Sequence, residues 1–153
     1  MLFRSLEWPV VQAIPGGVDL FANADESIGP LKQWRGDINR ELEVLRREKL
    51  IGASLDAVIN VYRPGGMPHR FGSIDVAEGF IVSQVFWHDG MPPSSAYPFM
   101  KNDGTAFPDI GFTVQVSPHH KCGRCWRHLP EVTEDGSLCS RCDHVVAGMG
   151  AAT

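Results

Sequence analysis

Cysteine is absent from the first 121 residues of this 153-residue chain, so disulfide bonds do not stabilise most of its fold. The chain also lacks any apolar run near the roughly 20 residues that a helix needs to cross a bilayer. Its N-terminus has no basic start followed by an apolar stretch of signal-peptide length. We therefore expect a cytoplasmic protein with reduced thiols and no membrane partner.

An excess of positive charge is lacking as well. The formal net charge is -4, which argues against bulk electrostatic attachment to nucleic acid, so any such contact requires a local basic surface. Catalytic signatures are missing too. The glycine pairs at 16–17 and 65–66 have no phosphate-loop lysine, and Ser117 with its neighbouring histidines has no oriented acid or nucleophile elbow. We predict no independent catalysis.

The cysteines that are present form two Cys-x-x-Cys knuckles, the first at 122–125 and the second at 139–142, with 13 residues between them. Two such pairs can close one tetrahedral thiolate site, because each tight turn supplies two ligands. Four thiolates leave no position for a catalytic water, so the site is expected to be structural. We predict one zinc ion, bound by Cys122, Cys125, Cys139 and Cys142.

Two alternatives remain for the thiols, a mononuclear iron site and a pair of disulfides. Trp126 and Asp143, which follow the knuckles, are atypical of rubredoxin-type iron sites, and disulfides fit poorly in a chain with no export signal. Four nearby histidines are rival ligands, but we favour solvated side chains or contacts to the cysteines for them, since four thiolates already complete the tetrahedron. They are His119, His120, His128 and His144.

One periodic segment, residues 31–51, predicts an amphipathic helix. Basic residues collect in its last turns, and Gly52 is expected to end it. Residues 1–30, rich in proline and glycine, predict an irregular lead-in with at most one short element. The apolar residues of the helix recur at steps of three and four, which places them on one face and Trp34 in the core: Leu31, Trp34, Ile38, Leu42 and Leu45.

The remainder predicts the α+β fold class. Three segments have the composition of strands, at 57–62, 80–86 and 112–116. The segments at 63–79 and 91–108 are rich in glycine and proline and predict loops, the second an exposed excursion.

The expected organisation is an amphipathic helix, a small mixed sheet and a C-terminal four-cysteine zinc finger. We divide the chain at residues 1–56, 57–117 and 118–146. The tail after Asp143 is expected to fray.

Three phrases follow one another along the chain. The first is the segment 34–57, in which NRELE at 39–43 leads to RREKLIGASLDA at 46–57; the second is FIVSQV at 80–85; the third is KCGRCW at 121–126 with LCSRC at 138–142. In this order they resemble the C-terminal region of bacterial-type isoleucyl-tRNA synthetase, with Asp56 where that family has glutamate. The segment Leu6–Pro9 is similar to the one that precedes the family's helix.

The resemblance implies a tRNA-binding helical region, a small α/β unit and a zinc finger that contact tRNA near its anticodon stem. Isoleucine tRNA is the expected partner, together with the catalytic part of the synthetase if that is encoded separately. The family's ATP-binding signatures of His-Ile-Gly-His and Lys-Met-Ser-Lys-Ser type are absent. We therefore expect a fragment, a split-gene product or a free-standing relative that does not activate isoleucine alone.

Two other classes of protein compete with this interpretation. A zinc-finger module for protein–protein interaction, or a remnant, is the alternative. A DNA-repair glycosylase tail fits less well, because the N-terminal proline nucleophile of that class is missing.

The candidate nucleic-acid contacts lie at the end of the helix and at the knuckles. For every cation among them, the alternative is a solvated surface charge without a nucleic-acid contact. Arg127 also flanks the first knuckle, and with Lys121, Arg124 and Arg141 it is expected to form an exposed basic tip. The tryptophan either stacks on a base or caps the zinc core, and we favour the cap. The candidates are Arg40, Arg46, Arg47, Lys49, Lys121, Arg124, Trp126 and Arg141.

Overall fold

The computed structural model describes residues 24–68, 71 and 75–150; the predicted lead-in at 1–23, with Leu6–Pro9, lies outside them. No helix in these ranges combines the length and apolar character that a membrane span requires. The elements are α1 (Ala24–Arg47), a 3-10 turn (Ser54–Asp56), β1 (Ala57–Arg63), α2 (Val76–Phe80), β2 (Gln84–Asp89), β3 (Tyr97–Met100), β4 (Ala106–Val116) and α3 (Ser140–Gly150).

The first helix begins seven residues earlier than the sequence predicted. It starts at Ala24 instead of Leu31, and Pro30 lies inside it, so the irregular lead-in was wrong for residues 24–30. Proline removes one N–H from the hydrogen-bond ladder of a helix. This loss does not end α1, whose apolar face is buried from Leu31 through Leu42.

The first helix ends at Arg47, so the prediction that Gly52 ends it was wrong. The Leu50 N–H donates to the Leu45 carbonyl at 2.9 Å, and the Lys49 N–H donates to the Arg46 carbonyl at 3.0 Å. Lys49 is left-handed, with φ of 59°. These bonds form a Schellman motif, which satisfies carbonyls at the helix end.

The core lies between α1, α2 and one face of the sheet. The ring of Trp34 stacks on Phe99 with 4.5 Å between centroids and meets Phe71 edge-on at 6.0 Å, so its predicted core position is confirmed. Asp37 is also buried, and its carboxylate accepts a hydrogen bond from the Met100 N–H at 2.9 Å. This bond ties the helix to β3.

The strands form a mixed sheet, as predicted, and their order is β2-β1-β4-β3. Strand β1 is parallel to β2 and antiparallel to β4, and β3 is antiparallel to β4. The exposed excursion predicted at 91–108 was wrong, because it holds β3 and the start of β4. Strand β3 tolerates Pro98 because it lies at the edge of the sheet, where a missing N–H donor costs least.

The predicted strand at 80–86 begins only at Gln84, because Phe80 is the last residue of α2 and residues 81–83 form the turn that follows it. The Asp75 carboxylate caps this short helix by accepting from the N–H groups of Ala77 at 3.0 Å and Glu78 at 3.3 Å. Ile81 ends it in the left-handed conformation. A short apolar run does not distinguish helix from strand by periodicity, which explains the error.

The tail expected to fray after Asp143 is helical through Gly150. The Asp143 N–H donates to the Cys139 carbonyl at 2.9 Å, so the second knuckle continues directly into α3. An acidic residue in the first turn is favourable there, because it opposes the positive end of the helix dipole. The domain division at residues 56 and 117 stays a prediction.

Replacing Lys49 by glycine should stabilise the protein. A left-handed residue with a side chain costs about 1–2 kcal/mol, and the extra freedom of glycine in the unfolded chain cancels about 0.4–1 kcal/mol of the gain. We expect the free energy of unfolding to rise by about 0.5–1 kcal/mol in urea titrations. The control Lys49→Ala loses the same charge but keeps the strain, so equal stability of the two variants would contradict the explanation.

Candidate metal centre and nucleic-acid interface

Four sulfur atoms form one cluster. The Sγ atoms of Cys122, Cys125, Cys139 and Cys142 all lie within 4.8 Å of one another. All four thiols are free, and Cys125 and Cys139 are 3.8 Å apart, well beyond the roughly 2.05 Å of a disulfide bond. The structure therefore contradicts the alternative that the cysteines form two disulfides. The sulfur cluster is compact enough for one metal ion.

Two glycine-containing loops bring the knuckles together. The Gly123 N–H donates to the Ser137 carbonyl at 3.0 Å, and the Gly136 N–H donates to the Lys121 carbonyl at 2.9 Å. A Cβ on Gly123 would lie 2.3 Å from the Gly136 oxygen. The first knuckle thus needs glycine at this position for its backbone to approach the opposite loop.

The thiols differ in their tendency to ionise. Burial acts to raise the pKa of Cys122, but N–H donors from Arg124, Cys139 and Cys125 outweigh it and bring the pKa to about 6. Burial, followed by hydrogen bonding among the thiols, raises the pKa of Cys142 to about 12. Four thiolates this close repel one another, so a cation between them favours ionisation of all four.

The histidines near the knuckles do not join the sulfur cluster, whose members in the described chain are the four cysteines. His128 Nδ1 is 2.7 Å from the His119 carbonyl, so Nδ1 carries the proton, because a carbonyl only accepts. Its Nε2 lies 3.2 Å from Asp56 Oδ1, within ion-pair distance but without an aligned hydrogen bond. His120 Nδ1 is 3.5 Å from Asp135.

Asp56, in the position where the resembled family has glutamate, organises the turn after α1. Its Oδ2 accepts from the N–H groups of Gly52 at 2.8 Å and Ala53 at 2.9 Å. Burial acts to raise the pKa of Asp56, but these donors and His128 hold it below its usual range. The carboxylate is therefore an acceptor that secures this turn.

Arg127 does not belong to an exposed basic tip, so that expectation was wrong. Its guanidinium donates to the Ser83 carbonyl from Nε at 3.0 Å and from Nη2 at 2.8 Å, while Nη1 lies 3.0 Å from Asp75 Oδ2. The side chain is 18% exposed. Its partners are 44 and 52 residues away, and no local pattern signals such contacts.

The candidate cations divide by whether a carboxylate neutralises them. Arg40 lies 3.5 Å from Asp37, and Arg46 and Arg141 pair with glutamates at 43 and 78. The other four form no ion pair with a carboxylate among the described residues, and all are exposed: Arg47, Lys49, Lys121 and Arg124.

Trp126 is 60% exposed, so the expectation that it caps the metal core was wrong. Apolar contacts to the cysteines come instead from Leu129, Val132 and Leu138. Its backbone is left-handed with φ of 64°, and its N–H closes the knuckle on the Cys122 carbonyl at 3.1 Å. The Lys121 ammonium lies 5.8 Å from the indole centroid, so an aromatic ring and a cation are exposed together.

A groove of about 700 Å³ runs between the end of α1 and the first knuckle. It brings together Arg46, Lys49 and Lys121 from the candidate set. Arg124 and Arg141 line a second groove of about 500 Å³ beside α2 and α3. Arg40 and Arg47 line neither, so the eight candidates do not form one surface.

Comparison with known proteins gives one consistent result, although no family model matches the chain. It is 34% identical to an isoleucine–tRNA ligase of Zymomonas mobilis across 76% of its length. It is 35% identical to that of Caldanaerobacter subterraneus across 71%, and 30% identical to that of Streptococcus gordonii across 82%. The matched segments span only 10%, 12% and 13% of these relatives.

Substituting Gly123 by alanine should disrupt the metal centre, because the added methyl group overlaps the Gly136 backbone. We expect a loss of about 1–3 kcal/mol in metal-loaded protein, typical of overpacking, measured by urea unfolding. Gly148→Ala in α3 is the control, since a Cβ there meets open space. Equal stability of the two variants would refute the close-approach argument.

Proposed function

The chain belongs to the isoleucine–tRNA ligase family through the segment that it shares with these enzymes, and we propose that this segment binds isoleucine tRNA. The chain spans about a tenth of the length of its relatives. Ligase activity is a property of those relatives and is not attributed to this segment. Its own role is to position tRNA for a catalytic part that the sequence does not contain. A cytoplasmic location follows from that role.

The single observation that carries the proposal is the exposed indole of Trp126 beside an unpaired ammonium. Aromatic rings in such positions stack on unpaired bases of RNA, and neighbouring cations meet the phosphates. Lys121 fits the second requirement, because it forms no ion pair with a carboxylate among the described residues and lies beside the indole. The first knuckle is therefore the expected point of contact with bases.

The groove beside the first knuckle supplies the backbone contact. Lys49 and Lys121 line it from opposite elements, so a nucleic-acid strand in the groove meets both. The two carboxylates in the groove have other partners: Asp56 accepts from backbone N–H groups and faces His128, and Asp135 accepts from the Lys121 N–H at 2.8 Å. They leave the ammonium groups available to phosphate.

We further propose that the metal is one structural zinc ion held by Cys122, Cys125, Cys139 and Cys142. Four thiolates complete a tetrahedron, the geometry that zinc takes in structural sites. The cysteines belong to a hydrophobic cluster separate from the main core, and such a small cluster depends on metal binding for its stability. Zinc thereby holds Trp126 and Lys121 in place and performs no chemistry.

A free-standing module for protein–protein interaction is not favoured. The relatives along most of the chain are tRNA ligases, and the exposed surface at the first knuckle combines an aromatic ring with unpaired cations. The cores of protein–protein interfaces are depleted in charged residues, whereas contacts to single-stranded RNA commonly combine an aromatic ring with cations.

Removal of the metal should unfold the knuckles and leave the main core intact. In the variant with both Cys122→Ser and Cys139→Ser, we expect zinc to fall from one ion per chain to near none, by mass spectrometry of the metal. Amide exchange at Val132 should lose protection, whereas Ile59 in β1 keeps it. Val146→Ser on exposed α3 is the control. Stoichiometric metal in the double variant, or iron in the unmodified protein, would overturn the zinc assignment.

Phosphate contacts should make tRNA binding depend steeply on salt. We expect Lys121→Gln to weaken isoleucine tRNA about 3- to 10-fold and to reduce the slope of log K against log salt by about 1. Lys32→Gln, with the same charge change at the far end of α1, should do neither. Fluorescence anisotropy over a salt series measures both, and equal effects of the variants would show that only net charge matters.

A further inference from the structure

The metal module, defined here as residues 118–146, is joined to the sheet through consecutive residues that follow Trp126. The Arg127 side chain contacts Ser83 and Asp75. The His128 N–H donates to Ser83 Oγ at 2.6 Å. Both therefore meet the turn between α2 and β2, which itself packs on the core.

Ser83 is fully buried, and all of its polar groups are bonded. Its N–H donates to the Ala57 carbonyl at 3.0 Å, and its hydroxyl donates to the Leu55 carbonyl. Its carbonyl receives both Arg127 bonds, and its Oγ receives the His128 N–H. Any rotation of the metal module would break bonds to a residue that water does not reach, which is costly.

Arg127 links this anchor directly to the first knuckle. Its carbonyl accepts from the Cys122 N–H at 2.9 Å, so its backbone belongs to the turn that carries the sulfur ligands. Its side chain is bonded to the Ser83 carbonyl and the Asp75 carboxylate, which lie outside the metal module. Asp75 is fixed in turn, because its other oxygen caps α2.

We propose that Arg127 is a positioning residue that orients the first knuckle so that Lys121 and Lys49 line one groove and contact one RNA backbone. The inference rests on the proposed tRNA-binding function. Arginine suits the role because its planar fork fixes direction as well as distance, whereas lysine provides only a point charge. Two contacts held at a fixed spacing also bind one strand more tightly than the same contacts free to reorient.

The test is a double-variant cycle with Arg127→Lys and Lys49→Gln, measured as the affinity for isoleucine tRNA. We expect Arg127→Lys to weaken binding about 10-fold while one metal ion per chain is kept. Lys49→Gln should weaken binding about 3- to 10-fold in the unmodified protein and less than about 2-fold in the Arg127→Lys background. Additive effects would overturn the proposal. Arg35→Lys on α1 is the control and should leave the affinity for isoleucine tRNA unchanged.

Orientation is measured separately, from residual dipolar couplings of backbone amides in the metal module and in the sheet. In the unmodified protein, one alignment tensor should describe the couplings of the metal module and of the sheet. In Arg127→Lys, one tensor should no longer describe both sets. A shared tensor in that variant would overturn the proposal even if tRNA did not bind. Absence of tRNA binding by the unmodified protein would instead defeat the proposed function. If Arg127→Lys does not fold, Asp75→Asn replaces it, because it keeps the cap oxygen and removes the charge opposite Arg127.

Discussion

The buried hydrogen bonds of Ser83 connect the two hydrophobic clusters of this protein. The sheet and α1 form one cluster, and the cysteines with Val132 form the other. Ser83 accepts from Arg127 and His128 on the metal side and donates to the turn and strand at Leu55 and Ala57 on the other. Because a buried polar group left unpaired is expensive, this joint fixes how the knuckles sit on the sheet. The first knuckle is tied directly to this joint, because the Cys122 N–H donates to the Arg127 carbonyl at 2.9 Å.

The arginines illustrate how tertiary contacts assign roles to identical side chains. Arg124 and Arg141 occupy the same place within their knuckles, yet only Arg141 pairs with a glutamate, at residue 78 of α2. Arg127 is adjacent to the first knuckle, but its guanidinium is bonded to the Ser83 carbonyl and the Asp75 carboxylate. Counting basic residues near the metal site therefore overstates the charge that is available to RNA. Arg124 and Lys121 keep that availability.

Some of this architecture could be predicted from local pattern. The three- and four-residue spacing of Leu31, Trp34 and Ile38 indicated one buried helical face, which the structure confirms. The paired Cys-x-x-Cys spacing indicated one cluster of four sulfurs, also confirmed. The errors came where composition is ambiguous. The edge strand β3 was not predicted because it contains Pro98, and the end of α2 was not predicted because it lies in a short apolar run before Gln84. Neither segment has a periodicity that distinguishes strand from helix.

By itself, the sequence determined the sulfur cluster, the amphipathic helix, the mixed sheet and the family, because each depends on spacing between near neighbours or on the order of short phrases. The tertiary structure decided which cations remain unpaired, that Trp126 is exposed, and that Lys49 and Lys121 line one groove. These properties depend on partners far apart in the chain, such as Glu78 for Arg141 across 63 residues. Only folding brings such groups within the few ångströms over which charges and hydrogen bonds select one another.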